Sequence, residues 1–530
     1  MTSDPMFDLA VEPWIDHVHA DGSTRSGGFE QVLLDAASIT DLALPYPVAY
    51  GGMYRILAAM ACRISGLDRL QDGERAQEWY QRRNRLFGTA FDETQVRQYF
   101  EGRKERLSLY HPVHPFLQDT RIAKECRSTS GINKLVIGAA NGSARPWFGG
   151  KHGDRNQHPV RSGEAALQLV MWAYYGPGGT VATRTHGAVS TQSGCQAAPL
   201  RGTVSYHPIA QSLHDTLLAH LTPPKAGDTN TAGEEPADVA VWERDWQPDP
   251  TRPAPEPQGP VSLLAGRMRH AILLTPGEGG SAATDCIITW GSRSGKEDRD
   301  PGAEFIEAYP DPYVSYRRTK EGRPTAPVLA DGGRHLFRDL DVLLNDPDAD
   351  ESDGAVRAGS ASRPLVLAGC TTLPPDIVET LRLRVVGAEQ DRSKTRDSQW
   401  WTSTTPPLLA HSRGLDPEGA ELITLAVQVA DHAEYRLDQA LRLAFNDRPK
   451  DKTHTANRKA RIAAHYWPRA NVQFWALYTE GQLTAAQARM RIAALDAFDR
   501  ITAPLALSPS TARRVAQARA HLPRPRKETP

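Results

Sequence analysis

From residue 416 onward the apolar side chains recur every three or four positions with little interruption, and that pattern restricts the end of the chain to packed helices. In "DPEGAELITLAVQVADHAEYRLDQALRLAF" Asp416 stands where a helix cap belongs and Pro417 at the first helical position. Leu422, Leu425, Val429, Ala433, Leu437, Ala440 and Leu441 then follow with the spacing of one buried face. "TANRKARIAAHYWPRANVQFWALYTE", interrupted at Pro468, "TAAQARMRIAALDAFDRI", opened by the capping box Thr484-x-x-Gln487, and "STARRVAQARAHL" continue the pattern. Four amphipathic helices on short connections predict a four-helix bundle over 406–530, with the boundary near 405 in "TSTTPPLLAHSRG".

The preceding residues, 1–405, mix both periodicities, so the class is α+β: a large mixed N-terminal globular domain with long loops, then the bundle. "PVAYGGMYRILAAMACRISG" and "SGEAALQLVMWAYYG" are expected helices, and "HAILLTP", "DCIITWG" and "RPLVLAG" expected strands. Residues 223–260, dense in Pro, Gly and acid, and residues 345–364, acidic and then small and polar, are expected to be surface loops. "LRLRVVG" alternates Leu381, Leu383 and Val385 with Arg382 and Arg384, the pattern of a half-buried strand with its arginines outward. It runs into a hairpin whose tip carries Gln390, Asp391, Arg392, Ser393 and Lys394; on the residues alone a solvated turn accounts for it.

Charge and cysteine usage narrow the function classes. Sixty-two basic residues against 63 acidic ones leave a net charge of −1, so a polyanion site has to be a local patch. Five scattered cysteines without a C-x-x-C pair argue against a disulfide framework and a cysteine-ligated zinc, and for a reducing compartment. No signal-peptide pattern opens the sequence and no apolar run approaches the ~20 residues of a membrane helix, so a cytoplasmic protein without membrane contact is expected.

Catalytic constellations are scarce. His111 and His114 in "HPVHPF" are three apart, but the prolines forbid a helix aiming both at one metal; His214 and His220, six apart, point to different helix faces. "SGKED" lacks the upstream Gly and the Ser/Thr of a phosphate-binding loop. Three other segments carry polar chemistry. "YYGPGGTVATRTHG" ends a helix at Gly176, Gly178 and Gly179; this is either a cap and irregular loop or backbone that approaches a flat or charged partner. "NGSARPWFGGKHGDRNQHPVR" interleaves Arg145, Lys151 and Arg155 with Trp147 and Phe148, which suits a single-stranded nucleic acid as well as a Gly-rich surface loop anchored by two aromatics. Within the bundle Lys452, Arg458, Lys459 and Arg461 gather as either a solvated basic face or a phosphate-tracking surface.

In order along the chain, "FDLAVEPWIDHVHADG", "FEQVLLDAASITDLALPYPVAYGGMYRILAAM", "HPFLQ" and "INKLV", followed by an α/β body and a helical bundle, resemble the large-subunit (CasA) family of type I-E CRISPR Cascade over essentially the whole chain. The resemblance implies a non-enzymatic subunit without cofactor or metal, assembled with other Cascade subunits. Such a subunit touches the guide RNA, recognises the protospacer-adjacent motif in double-stranded DNA, helps open the duplex and docks a helicase-nuclease. It implies a groove-facing glycine loop at Gly178 and Gly179, with Ser193 and Gly194 as rivals, and Lys296 reaching into the groove. The segment with Arg145, Trp147, Phe148, Lys151 and Arg155 would meet the guide.

The hairpin tip becomes a strand-separating wedge in this light. Asp391 and Lys394 stand where the family has its Asp and Lys; Arg392 occupies the usual Gln position, leaving Gln390 or Arg392 as the wedge. Two other readings compete: a metal-dependent hydrolase using the histidines, and an adaptor that binds only protein.

Overall fold

The computed structural model describes residues 6–71, 73–138, 157–191, 193–224, 238–266, 268–293, 309–345, 360–390, 397–447 and 452–522. They fall into two units, one of residues 1–331 with 351–410 and one of 332–350 with 411–530. The boundary at 410 lies close to the expected 405, but the second unit also recruits 332–350 from upstream.

In the first unit, β1 (Ile15–His19) pairs antiparallel with β2 (Thr24–Gly27) and β3 (Ile39–Leu42). Pro47 then opens α1 (Pro47–Ile64), a helix apolar on nearly every face and buried accordingly. The short α2 (Ile122–Glu125), β4 (Val160–Arg161) and α3 (Ser162–Tyr175) follow, α3 matching its expected span. The strands β5 (Gly179–Thr180), β6 (Thr185–His186), β7 (Val189–Ser190) and β8 (Gly194–Cys195) are two residues each, and β9 (Val204–Ile209) is buried throughout. After α4 (Leu213–Ala219) and α5 (Pro260–Ala265), β10 (His270–Pro276) and β11 (Ala282–Trp290) form a long antiparallel pair, to whose β11 edge β4 adds.

The last sheet of this unit explains a correction. β14 (Arg382–Gln390) runs between β9 and β15 (Asp397–Thr404), preceded in the chain by the ribbon β12 (Tyr316–Arg318) and β13 (Pro324–Pro327). As a central strand β14 is buried on both faces, so Arg384 is not outward but only 7% exposed. Its guanidinium donates to both Asp41 carboxylate oxygens (2.8 and 2.6 Å) and to Tyr54 Oη (2.8 Å), with the Tyr50 ring beneath it. Alternation reports side-chain period, not whether a helix covers the second face.

Two further expectations change. "RPLVLAG" contributes a helix, Leu365–Cys370, rather than a strand: Pro364 stands at its cap, and a short apolar run without alternation fits either element. The 223–260 stretch is no free loop over its second half. The buried Asp238 carboxylate accepts from Val261 N (2.9 Å) and Ser262 N (2.7 Å) at the start of α5, and Val241 and Trp242 are buried; residues 225–237 lie outside the described residues.

The second unit is helical. A short helix, α6 (Leu340–Leu344), packs on α7 (Pro417–Phe445), which also meets α8 (Lys452–His465), α10 (Ala486–Thr502) and α11 (Pro509–Arg519); α9 (Trp467–Thr479) packs on α8 and α10. Asp416 caps α7 by accepting from Gly419 N (3.0 Å), as its position predicts. Over the first half of α7 the buried face is rotated from the expected one, whereas Leu437, Ala440 and Leu441 are buried as their spacing predicts. Ala420, Ile423, Ala426, Val427 and Ala430 face inward, whereas Leu422 and Leu425 are 40% and 48% exposed, because small alanines let neighbouring helices approach. The helix expected across Pro468 divides at Tyr466 into α8 and α9, and α10 starts at Ala486 after a 3₁₀ turn at Leu483–Ala485. No helix of the described residues is long and apolar enough to cross a membrane.

Candidate nucleic-acid interface

The break after α3 builds the most distinctive surface of the first unit. Gly176 and Pro177 end the helix, and the chain turns into a ribbon in which Gly179 pairs with Cys195 and Thr180 with Gly194. The pairing continues through Val181 N to Ser193 O (2.6 Å) and Thr191 N to Arg184 O (2.8 Å), then through Thr185↔Ser190 and His186↔Val189 to a tip at Gly187 (φ +59°). Gly178, Gly179, Ser193 and Gly194, rivals in the sequence, therefore share one ribbon. Gly179 adopts φ +120°, a backbone that L side chains rarely take, and a Cβ on Gly179 or Gly194 would meet no atom within 4 Å. The face is bare backbone, open to anything flat enough to reach it.

An arginine that the sequence did not single out anchors this ribbon. Arg184 is 0% exposed and donates to Asp119 Oδ2 (3.0 Å), Glu125 Oε2 (2.5 Å) and the Trp290 carbonyl (2.9 Å). His186 Nδ1 meets Glu125 Oε1 at 2.9 Å. Burial opposes ionisation of Glu125, but the His186 and Arg184 hydrogen bonds outweigh it and hold the carboxyl below its ordinary range. Lys134, its own pKa lowered by burial, donates to the Thr180 carbonyl from below. The signal available in the sequence was one arginine among threonines and glycines, which does not distinguish an anchor from a solvated cation.

At the other candidate segments the picture is uneven. β14 and β15 pair as far as Gln390↔Asp397, with a bulge between Glu389 and Gln390. The Gln390 side chain lies back against the turn at Gly202 (φ +81°), where an added Cβ would be 2.8 Å from its Oε1. Asp391, Arg392 and Lys394 of the tip, Lys296, and Arg145, Trp147, Phe148, Lys151 and Arg155 lie outside the described residues.

In the second unit Lys452 opens α8, and Lys459 and Arg461 are exposed, Arg461 over the Phe445 ring. Arg458 departs from the expected basic surface. It is 6% exposed, and its guanidinium is used by Asp438 (2.9 Å) and Asp447. Arg458→Ala is expected to destabilise this unit by about 3 kcal/mol, because it removes the guanidinium from the 6%-exposed Asp447 side chain and leaves His454 (3.0 Å) beside it, while Lys459→Ala stays within about 0.5 kcal/mol. Urea unfolding of both variants measures the difference.

The histidines are employed structurally. His111 Nδ1 accepts from His114 N (2.9 Å), closing the "HPVHPF" turn, and His214 meets Asp215 at 3.0 Å. Among the described residues no three His, Cys, Asp or Glu side chains cluster as metal ligands. All five cysteines are buried free thiols; burial pushes Cys195 and Cys286 up to about 12, which suppresses thiolate chemistry.

Comparison with known proteins follows this architecture closely. The family model of the CRISPR-associated protein Cse1 matches residues 8–506. A curated CRISPR-associated protein CasA/Cse1 of Thermus thermophilus is 25% identical over 441 residues, covering 80% of this chain and 75% of its own length. A chain solved in a CRISPR RNA-guided surveillance complex superposes with a TM-score of 0.79 at 32% identity, over 98% of this chain and 99% of that one. The crystal structure of Thermobifida fusca Cse1 shares the fold with a TM-score of 0.74 at 18% identity, over 98% of both chains.

Proposed function

The chain belongs to the CRISPR-associated protein Cse1 (CasA) family, the large subunit of Cascade surveillance complexes, and from that premise we propose that it reads the protospacer-adjacent motif of double-stranded target DNA. The observation that carries the reading is the anchored glycine ribbon. Gly179 and Gly194 expose backbone where a side chain would hold a groove away, and Arg184 fixes that backbone from beneath. Minor-groove readout by close backbone and a lysine, here Lys296, discriminates coarsely between A·T and G·C pairs.

The same subunit is non-catalytic in this reading. The tip after Gln390 starts strand separation, and because Gln390 lies against Gly202, Arg392 is the residue assigned as the wedge. Arg145, Trp147, Phe148, Lys151 and Arg155 meet the guide RNA, and the bound complex recruits the helicase-nuclease.

The test is target binding by a complex reconstituted with and without this chain, on duplexes with correct or scrambled flanking motifs. Gly179→Val and Lys296→Ala are each expected to cost about tenfold or more in motif discrimination. Arg392→Ala should slow duplex opening, while Gln390→Ala leaves it near the parent rate. Equal discrimination with and without the chain would sink the reading and favour an adaptor that binds only protein.

A further inference from the structure

The three-stranded sheet that carries the hairpin has two edges, and they differ. On the β9 side Val204 N donates to the Val328 carbonyl (3.4 Å) and Tyr206 N to the Tyr313 carbonyl (2.8 Å), so the chain's own backbone occupies that edge. β15 is the opposite edge, and among the described residues no strand pairs with its outer side. The register fixes which groups point there. Ala388 N donates to the Thr203 carbonyl (3.2 Å) toward β9, and Thr405 N donates to the Leu383 carbonyl (2.9 Å) from the β15 side. With Val385 opposite Ser403, Gly387 opposite Trp401 and Glu389 opposite Gln399, these three residues of β15 turn their main chain to β14. Trp400, Thr402 and Thr404 turn their N–H and C=O away from it.

Natural edges are blunted by Lys, Pro, bulges or brevity. From Gln399 to Thr404 the run "QWWTST" has no charge and no proline, and the hairpin's bulge lies beyond it, on the tip side of Gln399. Gln399, Thr402, Ser403 and Thr404 are exposed. Neither tryptophan shields the edge. Trp400 packs edge-on against Tyr46 (6.2 Å between centroids), and Trp401 lies back over Gly387, where an added Cβ would be 2.2 Å from its ring. The two rings lie over the sheet and leave the outer main chain open.

We propose that the outer edge of β15 receives an extended strand of another Cascade subunit, added to the sheet through the main-chain groups of Trp400, Thr402 and Thr404. The chemistry of the edge selects the occupant. Donors and acceptors alternate along it, which another extended backbone matches and a helix, with its main chain already paired, does not. A phosphate backbone only accepts, and this run carries no cation to hold it. Half-buried Trp400 and Trp401 give the incoming strand's alternate side chains apolar neighbours. The proposal rests on the chain's place in a surveillance complex and not on its reading of a DNA motif.

The experiment is amide-resolved hydrogen exchange of the full chain, free and assembled with the other Cascade subunits and guide RNA, without target DNA. Assembly is expected to slow exchange at Trp400, Thr402 and Thr404 by about tenfold or more, and to leave Gln399, Trp401 and Ser403, already bonded to β14, within about twofold. Two variants accompany it. Thr402→Pro removes one outward donor at a position where an edge strand tolerates proline, and Ser403→Lys keeps every main-chain donor while placing an ammonium at the edge. Each is expected to weaken docking to the rest of the complex about tenfold. Unchanged exchange at Trp401 and Ser403 in the free variants shows that the hairpin is intact.

Protection of alternate amides on assembly, with weaker docking of the variants, supports the added strand. Outward amides that exchange equally fast in both states overturn it, as does equal protection of all six, the mark of a surface that merely covers the edge. Protection that grows with the concentration of the free chain replaces the other subunit by a second copy and overturns it too. Variants that dock as the parent does have the same force. Motif discrimination is read on duplex DNA, so either conclusion can fail while the other stands.

Discussion

Arg184→Met is expected to lower the unfolding free energy of the first unit by about 3–5 kcal/mol, the range for removing one partner of a buried ion pair. The magnitude follows from what remains. Asp119 is 2% exposed and keeps Arg121 (2.9 Å) as its other cation, while Glu125 keeps His186 and the Trp290 carbonyl loses the Arg184 donor. Methionine fills much of the volume, so the loss is of charge and hydrogen bonds rather than packing. Arg184→Lys should recover little, since an ammonium cannot address three acceptors in the directions a guanidinium fork reaches. Because the ribbon's amides at Val181 and Thr191 depend on this anchor, their hydrogen exchange should accelerate by roughly 100-fold even under conditions where the unit stays folded. Stability within about 1 kcal/mol of the parent together with unchanged protection at Val181 and Thr191 would move the anchor elsewhere, to Lys134 first.

Much of the architecture was legible because it rests on local rules. Asp416 and Pro417 mark the start of α7, Gly176 and Pro177 the end of α3, and the alternating run after Leu381 a strand leading into a hairpin. What was not legible depends on partners distant in sequence. Arg384 looked outward because alternation assigns faces without saying what covers them; Asp41, Tyr50 and Tyr54, more than 300 residues upstream, decide that it is inside. Leu422 and Leu425 looked buried because leucine outranks alanine in hydrophobicity, yet the close helix contacts of α7 are made by its alanines.

The candidate interface divides in the same way. Glycines announced themselves as positions of backbone approach, but two segments 15 residues apart could be joined into one ribbon only by the pairing of Gly179 with Cys195 and Thr180 with Gly194. Arg458 was indistinguishable from its neighbours Lys459 and Arg461 until Asp438 and Asp447 were seen to consume its charge. Arg184 was passed over for a related reason: whether a cation is an anchor or a solvated charge is set by the carboxylates around it in space. Sequence lists the charges; only the fold pairs them.

Acidification should destabilise the first unit well above the pH at which its carboxylates titrate. His207 and His220 are buried in contact. His220 Nδ1 donates to the Thr216 carbonyl (2.7 Å), which leaves Nε2 to accept from His207 Nδ1 (3.1 Å), and His207 Nε2 in turn accepts from Ser205 Oγ (3.0 Å). Both rings are therefore neutral, and a proton on His220 Nε2 would set two donors face to face. Burial lowers His220 from 6.5 to about 3, with the Arg55 charge adding to the effect, and His207 is lowered by burial, His220, Arg55 and Arg384. Tyr54 and Tyr313 complete the cage and supply no negative charge. His270, buried against Trp172 and under the field of Arg269 and Arg201, is likewise held at about 3.

A histidine lowered in the native state takes up its proton on unfolding. Stability is therefore complete above 6.5 and falls as the pH drops from 6.5 toward 3, with a slope approaching about 1.4 kcal/mol per pH unit for each group. For His220 and His270 together the loss at about pH 5 is about 4 kcal/mol, and His207 adds to it. Urea midpoints at about pH 7.5, 6 and 5 measure this, and a midpoint flat to pH 5 would show that these rings titrate alike in the folded and unfolded chain.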